Sequence, residues 1–571
     1  MTVYWVVWDA AAQWIVDRLD REGALPAVRR LRSSGWSGGA RPPAPNCQTP
    51  PSLATLFTGT WPVRHGVTGF TVPDASGVVT AHRPGFDPVF PLVPPVWEVL
   101  AAERLRAAFV HVPWVFGEES MVGPYVDAAI EAYSQRLARP EAITAEPGGR
   151  VSWQVAGYPV EVTGDAAGVQ LATAHGRSVL TPAAGWTQVL LGPDGDGEIG
   201  VWVRCMPAGG HWRLARTGVW RVRVAGADRA LVSRLSAGPV FVGEGVGPLY
   251  RAGTFGPTLA GGGDGSAEEV LLSSLKCVAR SVGAAADAVL RQHHADLVGC
   301  YLAITDDIGH ALIGWCDEQS AAYRPDIAAT AWRVIRRCYQ LADDLLGRVL
   351  DRASPADTVI LSADHGMVGS THTVHLNEQL LRCGLAGRTE DGELDPERCA
   401  VVYHPANNGS LWVNRKERPL GVVPPEQVGE TMERAMAALR AITDPASGRP
   451  VVTGFTDPAG GPLLPGRDHA VAFVELAADY QPSADPPKAG PVVQPATKTG
   501  THVTNNGSDR LHAVFAAAGP GIPAGIDLGV LDNTVPAALA LRRFGLGDGE
   551  AATLPDFVSP DRRPCLGGPR R

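Results

Sequence analysis

Short, almost unbroken apolar runs recur along this chain, and several stop at acidic or histidine side chains. Val3 to Trp8 ends at Asp9, Leu297 to Ile304 runs into Thr305-Asp-Asp-Ile-Gly-His310, and Val359 to Leu361 leads to Asp364-His365. Runs of this length and continuity predict strands buried on both faces, and open α/β sheets present their sites at the carboxyl ends of such strands. Ala107 to Val112 and Ala513 to Ala518 read the same way. Helical spacing fills the intervals. Trp14, Ile15 and Leu19 share one face, as do Leu271, Leu275, Val278 and Val282, and Val334, Cys338, Leu341 and Leu345. Pro26 suits the first turn of a helix reaching Ser33, Pro95 to Glu103 reads as another helix, and Ser266 with Glu269 reads as a capping box. The alternation predicts an α/β fold, a mostly parallel sheet with helices on both faces.

The period changes in one long interval. Val160 and Val162, then Val201, Val203 and Cys205, then Trp220, Val222 and Val224 alternate with polar or outward positions around a Gly-rich stretch at 192–197. Period two with such turns predicts an antiparallel β insertion, whose Trp202 and Trp220 are expected to be core residues rather than a ligand platform. The chain divides accordingly: a first core part at 1–147, the β-rich insertion at 148–258, core again at 259–376, an α+β cap at 377–490 with a helix over Gln427 to Leu439, the end of the core at 491–551, and a flexible tail at 552–571.

Composition narrows the partners. The 571 residues are 45% hydrophobic, ample for a large core, and the net charge of −9 leaves no basic footprint for a nucleic-acid polymer. No stretch has the roughly 18 apolar residues of a membrane span. The start lacks a basic region and a long apolar run, so it does not read as a signal peptide, and the nine scattered cysteines read as reduced thiols. A cytoplasmic protein is expected, of open oligomeric state.

Four segments deliver metal-type ligands: Asp9; Asp306 with His310; Asp364 with His365; and His502 in Gly500-Thr-His502. Three carboxylates and three imidazoles suit zinc, with manganese as the alternative, and divide into two sites that could clamp the attacking and leaving oxygens of a displacement at phosphorus. Thr49, at the start of an expected helix, is the candidate nucleophile, activated beside a metal and facing an anionic substrate across the helix N-terminus. Lys498 could neutralise phosphate charge. His65 is expected to stabilise the turn after the nucleophile helix or touch substrate. Asp307 is expected to be a solvated neighbour, His372 and His375 surface or supporting residues, and Cys47 a packing residue.

These segments resemble the alkaline phosphatase superfamily, specifically the type I phosphodiesterase/nucleotide pyrophosphatase family. The resemblance rests on Gln48-Thr-Pro-Pro-Ser-Leu-Ala-Thr-Leu-Phe-Thr-Gly-Thr-Trp-Pro-Val-Arg-His-Gly66, Asp306-Asp-Ile-Gly-His310, Ser362-Ala-Asp-His-Gly366 and Gly500-Thr-His502 in this order. It implies one metal at Asp9, Thr49, Asp364 and His365, a second at Asp306, His310 and His502, and a phospho-threonine intermediate. It implies cleavage of a phosphodiester or pyrophosphate bond in a small phosphorylated substrate, a metabolite or nucleotide. A phosphomonoesterase is the alternative, and a non-catalytic binding protein of the same fold a third reading. The sulfatase nucleophile pattern, Cys or Ser followed by x-Pro-x-Arg, is absent around Thr49. One departure stands out: where the family places an Asn to hold a phosphoryl oxygen, this chain has Phe70, whose side chain cannot donate a hydrogen bond.

Overall fold

A computed structural model describes residues 1–43, 47–118, 121–132, 136–194, 197–291, 295–456, 471–483, 490–503 and 508–546. The expected tail at 552–571 and parts of the expected cap lie outside the described residues, as do Gly195 and Asp196 of the Gly-rich stretch.

Nine strands form the central sheet. In chain order they are β1 (Val3–Trp8), β2 (Trp36–Arg41), β3 (Ala107–Val110), β4 (Val126–Glu131), β5 (Arg223–Ala225), β6 (Leu297–Leu302), β7 (Thr358–Ser362), β8 (Ala513–Ala518) and β9 (Ile526–Asp532). Across the sheet the order is β5-β4-β3-β6-β1-β7-β8-β2-β9. The middle run β4-β3-β6-β1-β7 is parallel throughout; β5 and β8 run against their neighbours. β1, β6 and β7 are buried at every position, as continuous apolar strands between two helical layers should be. One layer packs α2 (Pro26–Ser33), α4 (Ser266–Arg291), α5 (Ile304–Leu312) and α6 (Ala328–Arg352) together; the other sets α3 (Thr49–Thr58) against α7 (Val535–Arg543). This is the expected α/β architecture, a mostly parallel sheet with helices on both faces.

Register positions the site. Trp8 on β1 lies opposite Leu302 on β6, and Val7 opposite Ser362 on β7, so the three strands end at one level. Because β8 is antiparallel, its start at Ala513 lies at that same edge, which brings in the preceding loop and His502.

The excursions have cores of their own. Two four-stranded antiparallel sheets, one over Arg150–Leu180 and one joining Glu141–Ala145 to the strands between Trp186 and Arg216, enclose Trp153, Val160, Val162, Val201 and Val203. A further cluster gathers residues between Val374 and Val493, including the helix Val428–Arg440.

Four local readings are corrected. The strand expected to reach Ile304 stops at Leu302, and Ile304 opens α5, so Asp306 and His310 sit on a helix. The Ser266–Glu269 capping box does not form: Asp264 accepts the Ser266 N–H at 2.9 Å, while Glu269 pairs with Arg337 on α6. Val222 and Val224 are only half-buried and pack against the main core rather than the insertion's own. The buried residue between them is Arg223, paired with buried Glu131 at 2.6 Å and lying over the Phe116 ring, so an ion pair takes the place of apolar packing in β5. Asp307 is not solvated; it is half-buried and accepts the Gly245 N–H at 2.8 Å.

Candidate metal centre and active-site cavity

The first ligand group forms where β1 and β7 end side by side. Asp364 Oδ1 accepts the N–H groups of Ala10, at 2.9 Å, and of His365, at 3.0 Å; its Oδ2 has no hydrogen-bond partner. Asp9 Oδ2 accepts the Tyr301 hydroxyl, and Oδ1 has no partner. The His365 Nδ1–H donates to the Gly366 carbonyl at 3.0 Å, which fixes the tautomer and leaves the Nε2 lone pair free. That nitrogen lies 3.3 Å from Asp364 Oδ2, 3.7 Å from Asp9 Oδ1 and 3.3 Å from Thr49 Oγ1. Buried Asn533 donates to the carbonyls of Asp364, at 2.7 Å, and Ala363, clamping the turn from below.

The second group combines a helix with a loop. Asp306 and His310 are one turn apart on α5, so they project to one side. Asp306 Oδ1, again without a hydrogen-bond partner, lies 3.3 Å from His310 Nε2 and 3.8 Å from His502 Nε2. The Nδ1–H of His310 donates to the Gly500 carbonyl at 2.8 Å, and that of His502 to the Cys47 carbonyl. Both imidazoles therefore turn Nε2 toward Asp306. The groups adjoin through the stacked rings of His365 and His502, 3.8 Å apart and within 12° of parallel.

These donors fit divalent cations. Three buried carboxylate oxygens lack protein partners, and three imidazoles are oriented as acceptors toward them. Burial and the Asp364 charge push Asp9 well above the carboxylate range, burial raises Asp364 to about 7, and burial and the Asp9 charge raise Asp306. Burial likewise lowers His365 to about 3 and His310 and His502 well below the usual imidazole value. Repelling carboxylates beside neutral imidazoles form a donor set whose charge a divalent cation would balance.

Thr49 begins α3 and is buried at the floor of a cavity of about 930 Å³. The helix N-terminus offers less than expected. Pro50 and Pro51 have no N–H, and the Ser52 N–H is bonded to the Gln48 carbonyl at 3.1 Å. Phe70 lines the cavity, but its N–H donates to the Gln48 side chain at 3.0 Å. Lys498 lines the cavity beside Asp306. His65 is elsewhere, fully buried, with Nε2 against Thr55 Oγ1 at 3.1 Å and Nδ1 accepting the Val67 N–H. His372 contacts Thr371 and stacks on Tyr480, away from the ligands. Cys47 is buried against Val368 and Leu511.

Three supporting residues escaped the sequence reading. Tyr301 is apolar in the strand pattern although its hydroxyl reaches Asp9; Asn533 has no local signal; and Gln48 bridges the Phe70 N–H and the Pro405 carbonyl, at 2.6 Å, tying the chain before Thr49 to the cap. Only the adjacency of Gln48 to Thr49 could have drawn notice.

No curated protein matches the chain in sequence. Among solved structures, human ectonucleotide pyrophosphatase/phosphodiesterase 5 aligns over 96% of this chain and 95% of its own at 11% identity, with a TM-score of 0.48. An inactive form of the murine enzyme in complex with AMP aligns over 97% and 96% at 11% identity, with a TM-score of 0.47. Phosphonoacetate hydrolase from Sinorhizobium meliloti 1021, in complex with phosphonoformate, aligns over 95% of each chain at 13% identity, with a TM-score of 0.47. The sequence profile of the type I phosphodiesterase/nucleotide pyrophosphatase family matches residues 6–171 and 262–515, which take in every candidate ligand and Thr49. The chain therefore belongs to the type I phosphodiesterase/nucleotide pyrophosphatase family, and it is a metal-dependent phosphoester hydrolase.

Proposed function

We propose that this enzyme cleaves a phosphodiester or pyrophosphate bond of a small phosphorylated metabolite or nucleotide through a phospho-threonine intermediate. The observation that carries the reading is the position of Thr49 Oγ1, 3.3 Å from His365 Nε2 on the rim of one ligand group, with the second group stacked directly behind it. Asp9, Asp364 and His365 would hold one divalent ion with Thr49; Asp306, His310 and His502 would hold a second. The nitrogen and oxygen donors favour zinc, and manganese accepts the same set. Such ions supply Lewis-acid stabilisation of the phosphoryl oxygens and of the attacking and leaving oxygens.

The protein's own part is positioning. Thr49 gives its hydroxyl proton to solvent and Oγ1 attacks phosphorus; the bond from phosphorus to the leaving oxygen breaks on the opposite side, toward the second group, and that oxygen departs with the bonding pair and takes up a proton from solvent. Water then cleaves the Thr49 ester, releasing the phosphoryl product and restoring the hydroxyl. Gln48 fixes the entry to α3, while Tyr301 and Asn533 hold Asp9 and Asp364 so that their free oxygens face inward. The described cysteines are all free, which fits action in the reducing cytoplasm.

Bis(p-nitrophenyl) phosphate and p-nitrophenyl phosphate, assayed with and without EDTA alongside metal analysis, test this function. Preference for the diester, loss of turnover on chelation and two bound ions per chain are expected. A strong monoester preference would make the enzyme a phosphatase, and EDTA-resistant turnover would end the metal mechanism.

A further inference from the structure

We infer that Gln481 and Thr373 form a neutral hydrogen-bonding subsite in the cavity, and that the natural substrate carries an amide-type edge, an N–H beside a C=O, on one of the groups attached to its phosphate. This names part of the substrate and so rests on the phosphodiesterase reading proposed above.

The cap region builds this part of the wall. Strand Val368–Val374 lies between the short strands Asp479–Pro482 and Val493–Pro495, so that Thr373 has Gln481 opposite it on one side and Gln494 on the other. Successive side chains along such strands point to alternate faces, and residues opposite one another share a face. The preceding register pair, His372 and Tyr480, stacks on one face, where the Tyr480 hydroxyl donates to Asp444 at 2.8 Å. Thr373 and Gln481 take the other face and line the same cavity as Thr49 and the candidate ligands. Backbone bonds tie this ribbon to the second ligand group. The Ser370 N–H donates to the Thr499 carbonyl at 2.7 Å, and the Thr499 N–H to the His310 carbonyl at 3.0 Å.

The pair is unused by the protein itself. Gln481 is only 9% exposed, yet its amide makes no hydrogen bond among the described residues, and neither does the Thr373 hydroxyl. The neighbouring amides are committed. Gln494 donates to the Pro491 carbonyl at 3.1 Å, and Gln48 spends its two ends on the Phe70 N–H and the Pro405 carbonyl. An amide withdrawn from bulk water with neither role answered opposes folding, and a ligand that answers both roles recovers that cost.

The donor set fixes the chemical class. Neither side chain is charged, so the pair is not a phosphate site. A free Gln amide presents a donor and an acceptor in one plane, and another amide-type edge satisfies both through two parallel hydrogen bonds. The Thr373 hydroxyl can give or accept and meets a remaining lone pair or N–H of the same group. A group with an acceptor alone would leave the Gln481 oxygen buried and unpaired, which is what makes such a site selective.

The test uses the metal-replete full-length enzyme with bis(3-carbamoylphenyl) phosphate and bis(3-acetylphenyl) phosphate. The two are matched in size, and each carries its group on both arms, so either arm can enter the subsite. The acetyl compound is the slightly more activated ester, so intrinsic reactivity does not favour the amide. The carbamoyl compound should be preferred in kcat/KM by about tenfold, the scale of one buried hydrogen bond. Gln481→Met keeps the shape and should bring that ratio close to one; Thr373→Val should lower it about threefold. Equal values in the parent enzyme, or a preference for the acetyl compound, would overturn the subsite. So would a Gln481→Met loss shared equally by both compounds, which marks a purely structural residue. Absence of turnover on both would instead count against the phosphoesterase reading. Calorimetric titration of the metal-replete protein then decides the subsite: about tenfold tighter binding of the carbamoyl compound, lost in Gln481→Met, upholds it, and equal Kd values reject it.

Discussion

The two ligand groups have the same composition class but are built in different ways. Asp9, Asp364 and His365 come from the ends of two hydrogen-bonded parallel strands and are sealed, with the Asp9 and Asp364 side chains 3% and 0% exposed. Asp306, His310 and His502 come from a helix and a loop, and the Asp306 side chain is 20% exposed at the cavity wall. The first group is a product of sheet register: once β1 and β7 pair, their ligands must meet. The second needs α5 to start on time and an antiparallel β8 to return the chain. In the first group hydrogen bonds from the Tyr301 hydroxyl and the Ala10 and His365 N–H groups ease the carboxylate repulsion, whereas the charges of Lys498 and Arg251 offset part of that at Asp306. In the proposed reaction the sealed group would serve Thr49 and the more open one the departing group.

The largest effect expected from breaking this division is at Thr49. Thr49→Ala should lower kcat by at least about 10³-fold, as removal of a nucleophile does. Metal content should stay that of the parent, because three protein ligands remain in the first group. Activity assays with metal analysis of the same preparation check this; near-parental turnover would remove Thr49 from the mechanism.

Substitution of the carboxylates reads the difference directly. Asp364→Asn keeps an oxygen for the Ala10 and His365 N–H groups and removes the charge facing Asp9. In EDTA-treated protein at pH 7 it should therefore stabilise the fold, by about 1–3 kcal/mol, because a buried carboxylate raised to about 7 opposes folding as pH rises above its unfolded value. In metal-replete protein the same change should destabilise, since a charged ligand is lost. Asp306→Asn should show the same signs with smaller amplitude. Urea unfolding of both variants with and without EDTA measures this, and equal shifts at the two positions would erase the distinction between the groups.

This contrast also explains what the sequence could reveal. Continuous apolar runs ending in ligands are local features, so β1, β7, Asp9 and Asp364-His365 were legible. Ala513 to Ala518 was legible as a strand, but its antiparallel direction depends on long-range pairing that no local pattern encodes. The length of β6 was overestimated because Ala303 and Ile304 are apolar in strand and helix alike. Arg223 defeated the alternation rule because Glu131, far away in the chain, satisfies its charge. Arg251 had no motif around it; only the folded cavity places it beside Lys498.

The smallest predicted effect separates ligand imidazoles from one held purely for structure. His65 is buried between Thr55 and the Val67 N–H, and burial alone lowers its pKa to about 3. Its unfolded value is about 6.5, so between these values the unfolded state takes up a proton that the folded state refuses. Stability is therefore unaffected by this group near pH 7 and falls as pH drops below about 6.5. His65→Asn keeps an acceptor for Val67 and cannot ionise. Between pH 7 and 5.5 the parent should lose about 1 kcal/mol more stability than this variant, measured in EDTA so that ion release does not contribute. The candidate ligand imidazoles would differ in kind, because with ions bound acid would act on them through competition with the metal. If the His65→Asn difference appears only in metal-replete protein, His65 is coupled to the ligand groups and the turn-stabilising assignment fails.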